Sequence, residues 1–322
     1  MSASVAVIIP TYNHAHYLAA AIESALGQTA PPSEVIVVDD GSRDDPAAVT
    51  AAYPSVKLIR QVNQGLSAAR NTGMRAASSE YLVFLDADDQ LMPDALAKQL
   101  ELFAQHPDCG MVYGSYCYVD AVTRQITPVS LFPPGEDPFA TFLRCNCIGM
   151  HATVMYRADR LEAVGAFDAS LRACEDYDTY LRMSRDYAIA ARPEMMAEYW
   201  QHDQNMSRDT AMMLRSVLGV VRRYRAAADE RPEWQVAVRD GEARWIRFYS
   251  DTWLMNLLAN RKAAGLAPLM RQAIGITRIA PRALPASAAR MAISNAREGL
   301  RSARSAFRRR RAQRAGGPNG PA

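Results

Sequence analysis

The sequence predicts an α/β fold in which a mostly parallel sheet is flanked by helices, with a helical extension towards the C-terminus. Two observations support this prediction. Short apolar runs rich in β-branched residues recur through the first 90 residues, which is typical of buried parallel strands. Helical patterns lie between these runs, and strands separated by helices are joined by right-handed crossovers that make the strands parallel.

The individual elements follow from the same patterns. Strands are predicted at residues 5–9, 35–38, 56–59, 81–85, 111–119 and 151–156. Helices are predicted at residues 14–28, at 65–77, after Pro93, from near Glu175 and through 208–260. The chain is thereby divided into a first domain (1–210), a helical C-terminal extension (211–299) and a basic tail (300–322).

The net charge of +3 conceals two regions of opposite charge. Residues 261–322 contain 14 of the 37 Lys and Arg residues and a single acid, Glu298, so this segment carries +13. The first 260 residues therefore carry −10. An acidic body with a basic tail predicts two separate roles, one of which is contact with an anionic surface.

Cysteine usage and hydropathy indicate the compartment. The five cysteines have neither a disulfide nor a zinc-site spacing, which favours a reducing environment. No secretory signal is apparent, and no run approaches the roughly 18 apolar residues of a membrane span. We expect a cytoplasmic protein that is attached at most peripherally to the inner face of the cell membrane.

Polar side chains follow three of the predicted strands: Asn13 after the first, Asp39 and Asp40 after the second, and Asp86 and Asp88 after the fourth. One such end could be explained by turn chemistry. Ligands of open parallel sheets, however, bind beyond the carboxyl ends of the strands. Three polar strand ends therefore predict a ligand site.

The Asp86-Ala87-Asp88 segment predicts a metal site. Alternate residues share one face of the chain, so both carboxylates point the same way. Hard oxygen ligands of this kind hold Mg²⁺ or Mn²⁺, which keep coordination positions open for substrate phosphates. The alternative is an Asp-rich turn that caps the following helix.

Four motifs in order resemble the signature of family 2 glycosyltransferases: VIIPTYN at 7–13, VDDGS at 38–42, NQGLSAARNTG at 63–73 and LDADD at 85–89. Members of this family are inverting enzymes with the GT-A type nucleotide-diphospho-sugar transferase fold. The resemblance extends from about residue 5 to residue 210. It implies that residues 1–210 form a nucleotide-sugar-binding and catalytic domain.

The resemblance implies a nucleotide-sugar site built from Pro10, Thr11, Tyr12, Asn13, Asp39, Asp40, Arg70, Asn71, Asp86 and Ala87. Pro10, Thr11 and Tyr12 would line the base and ribose pocket. Asp40 would accept a hydrogen bond from the nucleobase imide, which favours uracil or thymine; its alternative is an Asx-turn. Arg70 suits a planar stack or a phosphate contact. The alternatives for Arg70 and Asn71 are a solvated helix arginine and a helix-face amide.

The acceptor side is predicted from residues 173–182, which resemble the Glu-Asp motif of the family. An inverting transfer is an in-line displacement, so a carboxylate must take the proton of the acceptor hydroxyl. Asp176 is the predicted general base, and Glu175 would orient it or bind the acceptor. Two acids at a helix N-terminus are also favourable capping residues.

Residues 199–207 resemble the late histidine motif of the family and imply that His202 joins Asp86 and Asp88 as a metal or pyrophosphate ligand. The usual pattern has an arginine where this chain has Trp200. His151 lies on a predicted strand near the acceptor side. His14, His16 and His106 have no predicted functional role.

These residues predict an inverting, metal-dependent glycosyltransferase that uses Mn²⁺ or Mg²⁺. The donor would be a UDP-sugar, and the acceptor would be the hydroxyl of a saccharide or of a lipid-linked glycan in cell-surface polysaccharide or glycoconjugate synthesis. A non-catalytic nucleotide-sugar-binding protein is the alternative. A dehydrogenase is disfavoured because no G-x-G-x-x-G follows the first strand.

The basic tail allows two interpretations. Its arginine cluster, Arg301, Arg304 and 308–311, could attach the enzyme to an anionic membrane surface. It could equally be a solubilising, disordered terminus. A nucleic-acid binder acting through the same cluster is a third class. No nucleic acid is expected, because the first 260 residues show no basic surface interleaved with aromatic residues.

Overall fold

The computed structural model describes residues 3–202, 208–228, 231–259 and 266–292. Its strands are β1 (Val5–Thr11), β2 (Glu34–Asp39), β3 (Val56–Arg60), β4 (Tyr81–Phe84), β5 (Gln90–Leu91), β6 (Cys109–Asp120), β7 (Ile126–Val129), β8 (Val154–Arg157) and β9 (Ala188–Gln201). Its α-helices are α1 (Ala15–Leu26), α2 (Pro46–Thr50), α3 (Leu66–Ala76), α4 (Ala95–Gln105), α5 (Pro138–Arg144), α6 (Ala158–Ala163), α7 (Glu175–Asp186), α8 (Thr210–Arg223), α9 (Arg225–Ala228), α10 (Pro232–Ala259) and α11 (Leu266–Ile279). A short 3₁₀ turn covers His151–Thr153.

The strands form one sheet in the order β3-β2-β1-β4-β8-β6-β9-β5, with β7 paired to β6. β1 pairs in parallel with β2 and β4, and β2 pairs in parallel with β3. β8 is antiparallel to both β4 and β6, so β6 and its parallel partner β9 run in the same direction as the first four strands. The predicted fold class, a mostly parallel sheet flanked by helices, is confirmed.

Hydrophobic burial explains the first half of this sheet. Every residue of β1 is buried, and β2 is buried after Glu34, because helices cover both faces of the strands. The apolar stripe of α1, which includes Leu18 and Ile22, is fully buried against the sheet. The four strands and two helices predicted in the first 85 residues are all present with small changes at their ends.

Short elements such as α2, β7 and α5 were not predicted, and two further differences concern strands β8 and β9. The segment predicted as a strand at 151–156 begins as a 3₁₀ turn and becomes strand β8 only at Val154. The 14-residue strand β9 was not predicted, because its apolar pattern is interrupted by Arg192, Pro193 and Glu194. Register shifts between Cys109 and Tyr116 in its pairing with β6 disturb the regular alternation as well.

The register of the parallel strands gathers the site residues at one edge. Thr11 at the end of β1 pairs with Asp39 at the end of β2. Ile8 pairs with Phe84, the last residue of β4, two residues before Asp86. The polar residues that follow β1, β2 and β4 therefore belong to the same carboxyl edge of the sheet, as the sequence predicted.

The chain divides into two compact units. Unit 1 comprises residues 1–208 and 215–245, and unit 2 comprises 209–214 and 246–322. This division differs from the predicted boundary at residue 210, because residues 215–245 group with the sheet. The predicted basic tail, 300–322, lies outside the described residues. In the part of the chain that is described, no helix is both long and apolar enough to cross a membrane.

Candidate active site

The end of β2 is organised by its two aspartates. Asp39 Oδ1 accepts a hydrogen bond from Ser42 N at 2.8 Å, and Asp39 Oδ2 lies 3.1 Å from Arg60 Nε. Asp40 accepts hydrogen bonds from Gln61 Nε2 (2.7 Å), Gln64 N (2.9 Å) and Gly65 N (2.8 Å). Both carboxylates are buried. Asp40 therefore holds the loop that leads into α3.

This loop can reach Asp40 because Gly65 has φ +91°, a conformation that residues with a Cβ rarely adopt. An ionised carboxylate can accept about four hydrogen bonds. Asp40 uses three of these acceptor positions on its own chain, which leaves about one. The nucleobase contact predicted for Asp40 stays a prediction.

The end of β1 is joined to the loop after β2. Asn13 has φ +58°; its backbone N–H donates to Ser42 Oγ at 3.0 Å, and its Oδ1 accepts from Arg43 N at 2.9 Å. Asp44 Oδ2 accepts from Ala15 N at 2.8 Å at the start of α1, a contact that the sequence did not reveal. Hydrogen bonds thus hold the end of β1 and the start of α1 to the loop after β2. The roles predicted for Pro10, Thr11, Tyr12 and Asn13 in a base and ribose pocket stay predictions.

Three of the residues predicted for that pocket differ in exposure. Pro10 is buried within β1, whereas the Tyr12 side chain is 44% exposed at the edge of the sheet. The Thr11 hydroxyl is buried and has no hydrogen-bond partner among the described residues. Tyr12 is therefore the member of this group that is accessible to a flat ring such as a nucleobase.

The residues after β4 form a tight turn, in which Asp89 N donates to Asp86 O at 3.0 Å. Ala87 is buried, while the Asp86 and Asp88 side chains are 34% and 13% exposed. Asp89 is buried and accepts from Trp200 N at 3.0 Å, which joins the turn to β9. Burial, reinforced by Asp88 and Asp86, raises the pKa of Asp89 well above its usual value. Asp89 was not among the predicted site residues.

The structure brings two of the three predicted metal ligands together. His202 Nε2 lies 3.0 Å from Asp88 Oδ2, and the His202 ring stacks on Tyr17 with ring centroids 4.9 Å apart. Asp86 Oδ1 is instead paired with Arg70. In residues 3–202 and the later described segments, no three His, Cys, Asp or Glu side chains are grouped as a complete metal site. Trp200, where the family pattern has an arginine, has the guanidinium of Arg124 over its ring at 4.7 Å.

Arg70 on α3 is buried rather than solvated. Its Nη2 donates to Asp86 Oδ1 at 2.8 Å, and its Nη1 donates to Glu175 Oε1 at 2.5 Å. Burial lowers the pKa of Arg70, but Asp86 and Glu175 raise it by more, so the guanidinium stays charged. The stack or phosphate contact predicted for Arg70 stays a prediction. What the structure shows is a cation shared by two carboxylates.

Asn71, the next residue of α3, faces a different segment. Its Nδ2 donates to Phe167 O at 2.7 Å, and its Oδ1 accepts from Phe167 N at 3.0 Å. The amide therefore pairs with the backbone in the manner of a neighbouring strand. This contact fixes the loop before α7, and the nucleotide contact predicted for Asn71 stays a prediction.

Glu175 and Asp176 form the first turn of α7. The chain enters the helix through Cys174 in a left-handed conformation, φ +63°, which is unfavourable for a residue with a Cβ. Glu175 is buried against Arg70, while Asp176 is only partly buried and its Oδ1 accepts from Tyr177 N at 2.7 Å. Burial and the Glu175 carboxylate raise the pKa of Asp176 to about 7, against the opposing charge of Arg70.

A carboxylate with a pKa near 7 is matched to proton transfer at neutral pH. Arg70 donates to both Asp86 and Glu175, so the turn after β4 and the start of α7 lie close together, and Asp86 also raises the pKa of Asp176. Asp178, two residues on, is buried and paired with Arg182 at 2.9 Å. Among the described residues, Asp176 is thus the first-turn acid that has no arginine ion pair, and its role as general base stays a prediction.

His151 lies beneath this cluster in an aromatic cage. Its Nε2 is 3.0 Å from the Tyr156 hydroxyl, and Phe84 stacks on its ring at 5.3 Å. Burial and the positive charge of Arg70 lower the pKa of His151 well below 6.5, so the ring is neutral. His151 is therefore a buried side chain packed among aromatic rings.

Comparison with known proteins assigns the family. The sequence profile of Glycosyl transferase family 2 matches residues 6–165. A glycosyltransferase of uncharacterized activity from Haemophilus influenzae is 30% identical over 182 residues, which is 56% of this chain and 62% of that protein. Chondroitin synthase from Escherichia coli is 32% identical over 185 residues, or 56% of this chain and 26% of that protein. The chain thus spans less than two thirds of the length of these relatives.

Solved structures support the fold. Residues 1–349 of TarS from S. aureus, in complex with UDP-GlcNAc, match with a TM-score of 0.56 at 18% identity over 88% of this chain and 82% of that one. The mannosyltransferase PcManGT from Pyrobaculum calidifontis, in complex with GDP-Man and Mn²⁺, matches with a TM-score of 0.56 at 20% identity over 88% and 86%. The profile match identifies residues 6–165 as a glycosyl transferase family 2 region, and the solved structures show that the fold is shared.

Proposed function

We propose that the protein is an inverting glycosyltransferase that moves a sugar from a UDP-sugar to an acceptor hydroxyl. The observation that carries this proposal is the convergence of the turn after β4 with the first turn of α7. Asp86 and Asp88 follow β4 at the carboxyl edge of the sheet, and Arg70 hydrogen-bonds both to Asp86 and to Glu175, the neighbour of Asp176. A donor diphosphate beside Asp86 and Asp88 would have its sugar between them and Asp176.

In the proposed mechanism Asp176 takes the proton of the acceptor hydroxyl as that oxygen attacks the anomeric carbon. Its pKa of about 7 allows it to be ionised before the reaction and to hold the proton afterwards. The bond to the nucleoside diphosphate breaks on the opposite face of the sugar, so the anomeric configuration inverts. Glu175 is engaged with Arg70 and would orient Asp176.

The residues present fit a divalent cation. Asp88 and His202 offer a carboxylate oxygen and an imidazole nitrogen 3.0 Å apart, and Asp86 offers a second, partly exposed carboxylate. Mn²⁺ accepts both donor types, and Mg²⁺ favours the carboxylates and donor phosphates. Bound there, either ion would neutralise the charge that develops on the leaving diphosphate.

Two observations favour UDP as the nucleotide of the donor. Asp40 would accept a hydrogen bond from the imide of uracil at its remaining acceptor position, and the exposed Tyr12 follows strand β1, whose Thr11 pairs with Asp39. Chondroitin synthase is among the relatives, and TarS was solved with UDP-GlcNAc. PcManGT was solved with GDP-Man, so a guanine nucleotide is the competing donor. For the acceptor we propose a saccharide or lipid-linked glycan of the cell surface.

A nucleoside-diphosphate release assay tests this function. Purified full-length protein is incubated with UDP-, dTDP- and GDP-sugars in Mn²⁺ or Mg²⁺, with EDTA as the control. We expect slow metal-dependent hydrolysis of one UDP-sugar. Absence of release from every donor, together with no thermal shift on donor addition, would contradict the proposal and favour a non-catalytic role.

A single substitution tests the assignment of Asp176 as the general base. Asp176→Asn is expected to bind donor normally and to lose turnover, because the amide cannot accept the proton. Asp178→Asn is the matched control in the same helical turn; it should lose stability but keep its specific activity when folded. Near-normal turnover by Asp176→Asn would remove Asp176 from the mechanism.

We further propose that unit 2 attaches the enzyme to an anionic bilayer on the cytoplasmic side. The observation behind this proposal is a set of exposed apolar side chains, each between 46% and 61% exposed: Phe248, Met255, Leu258, Met270 and Ile274. On α10, Phe248, Met255 and Leu258 recur at helical spacing on one side. Another side of the same helix is buried, where Trp253 Nε1 donates to Leu269 O at 3.0 Å.

Charge favours lipid as the partner of this surface. The sequence of unit 2 contains fifteen Lys and Arg residues and three acids, a net charge of +12, whereas unit 1 carries −9. Exposed aliphatic side chains make few favourable contacts with the phosphates of a nucleic acid. In a membrane they are stabilised by burial at the boundary between the headgroups and the acyl chains. Anionic headgroups would attract the arginines at the same time.

Vesicle cosedimentation of the full chain tests the attachment. We expect binding to phosphatidylglycerol-containing vesicles that weakens with salt, and little binding to phosphatidylcholine alone. The double variant Met255→Gln with Ile274→Gln should bind about tenfold more weakly, since about 1.4 kcal/mol of apolar burial is lost. The control is Val122→Gln with Ile126→Gln, two exposed apolar residues of unit 1. Equal binding by both double variants would contradict the proposal.

A further inference from the structure

Arg70 connects the two halves of the proposed site. It lies on α3, and its two terminal nitrogens donate to carboxylates from different elements: Asp86 after β4 and Glu175 at the start of α7. Glu175 is 105 residues away in the sequence. In the described residues, the direct polar link between the donor-side turn and the acceptor-side helix runs through this guanidinium.

The environment of Arg70 makes the link rigid. The side chain is 2% exposed, and its Nε has no acceptor among the described residues. Within the described part of the chain, its hydrogen bonds therefore go to Asp86 and Glu175 alone. The Phe167 ring, 5.7 Å from the guanidinium carbon, packs beside it, and Asn71 holds the backbone of Phe167.

We propose that Arg70 is a positioning residue that fixes Glu175, and with it the catalytic Asp176, at a set distance from Asp86. The inference rests on the proposed function. Asp86 would face the donor diphosphate, and Asp176 would face the acceptor. Their separation must accommodate the sugar, so that the bond to the acceptor oxygen forms on one face of the anomeric carbon as the bond to the diphosphate breaks on the other. A guanidinium fork holds two carboxylates at fixed angles, which the single ammonium of lysine cannot do.

Arg70→Lys separates this role from direct contact with the donor. We expect the donor dissociation constant to change less than about threefold and the turnover number to fall about 100-fold, because small displacements of catalytic groups have effects of that size. Arg75→Lys, an exposed arginine on the same helix, is the control and should match the wild type. A large rise in the donor dissociation constant with unchanged turnover would make Arg70 a phosphate ligand and overturn the proposal.

A second experiment requires no turnover. Urea unfolding is measured for Asp86→Asn, Glu175→Gln and the double variant. If Arg70 joins the two carboxylates, the effects on the unfolding equilibrium constant should deviate from independence by at least about fivefold. The deviation should disappear in an Arg70→Lys background, which is expected to fold. Independent effects in the wild-type background would overturn the link even if the protein proved to be a transferase.

The two experiments distinguish the inference from the proposed function. If no donor is hydrolysed but the unfolding effects are coupled, the arginine link exists and the transferase assignment is wrong. If donor is hydrolysed and the unfolding effects are independent, the transferase assignment holds and Arg70 does not position Glu175.

Discussion

The acidic pairs that follow β2 and β4 are similar in sequence but differ in what surrounds them. Asp39 and Asp40 are buried, and backbone N–H groups are among their donors. Asp86 and Asp88 are partly exposed and are paired with charged or titratable side chains, Arg70 and His202. Backbone donors fix a loop permanently, whereas side chains can turn towards a ligand. The first pair therefore builds the site, and the second pair is available to act in it.

Asp88→Asn is the strongest test of this difference. If the pair after β4 acts on the donor, the variant should lose about 100- to 1,000-fold in transfer, since a metal contributes several kcal/mol to the transition state. Its free energy of unfolding should be nearly unchanged. Donor hydrolysis and urea unfolding are measured on the same preparation. A variant with a lowered free energy of unfolding but unchanged specific activity would place Asp88 with Asp39 and Asp40 as a structural residue.

The pH dependence of turnover extends the comparison to Asp176. With a pKa of about 7, the base is progressively protonated below that pH, so the rate at pH 5 should be about 100-fold below its plateau. Raising the pH towards 7 increases the expected rate but lowers the contribution of Asp176 to the free energy of unfolding. Because folding raises this pKa, ionising Asp176 destabilises the fold as pH rises towards 7, and Asp176→Asn should gain relative stability over that interval. A rate that is flat from pH 5 to 8 would exclude Asp176 as the base.

Asp40→Asn tests the structural role of the buried pair Asp39 and Asp40. The amide keeps one oxygen and replaces the other by an NH2 group, so either Gly65 N on Oδ2, or Gln64 N and Gln61 Nε2 on Oδ1, would lose their acceptor. We expect a loss of about 2 kcal/mol in the free energy of unfolding. Asp159→Asn, which alters an exposed acid paired with Arg157, should change stability by less than about 1 kcal/mol. Unchanged stability with weakened UDP binding would move Asp40 to the ligand side of the comparison.

The smallest effect is expected at Arg60. This side chain is 60% exposed where it meets Asp39, so Arg60→Gln should cost about 1 kcal/mol or less. Asp39 keeps its hydrogen bond from Ser42 N in the variant. Urea unfolding at low and high salt gives the measurement. A much larger loss would show that the burial of Asp39 depends on the charge of Arg60.

The sequence was sufficient for the parts of the structure that depend on local patterns. Of the four strands predicted through residue 85, three are uninterrupted apolar runs and the one at 56–59 is interrupted only by Lys57. The polar residues after the first, second and fourth were predicted to share one edge. Strand β9 was missed because Pro193 and its charged neighbours break its alternation. The 3₁₀ turn at His151 shortened another strand. Both departures lie where side-chain periodicity is lost.

Contacts between distant residues could not be predicted. Arg70 and Asn71 were interpreted as nucleotide contacts, yet the first pairs with Asp86 and Glu175 and the second with Phe167. Nothing in the sequence near residue 70 indicates a carboxylate 105 residues away. The three internal donors of Asp40 were also invisible, since two of them are backbone groups. Burial of a charged side chain is decided by tertiary packing.

Gly73 limits how this enzyme can be redesigned. Replacing a helical glycine by alanine ordinarily stabilises a protein by about 0.5–1 kcal/mol. A Cβ at Gly73 would lie 2.3 Å from Ile8 Cγ2 and 3.2 Å from Val38 Cγ2, so α3 would have to move away from β1 and β2. Arg70 is one helical turn earlier and would move with it. A thermostabilising substitution chosen from helix propensity alone would therefore withdraw the guanidinium from its carboxylates.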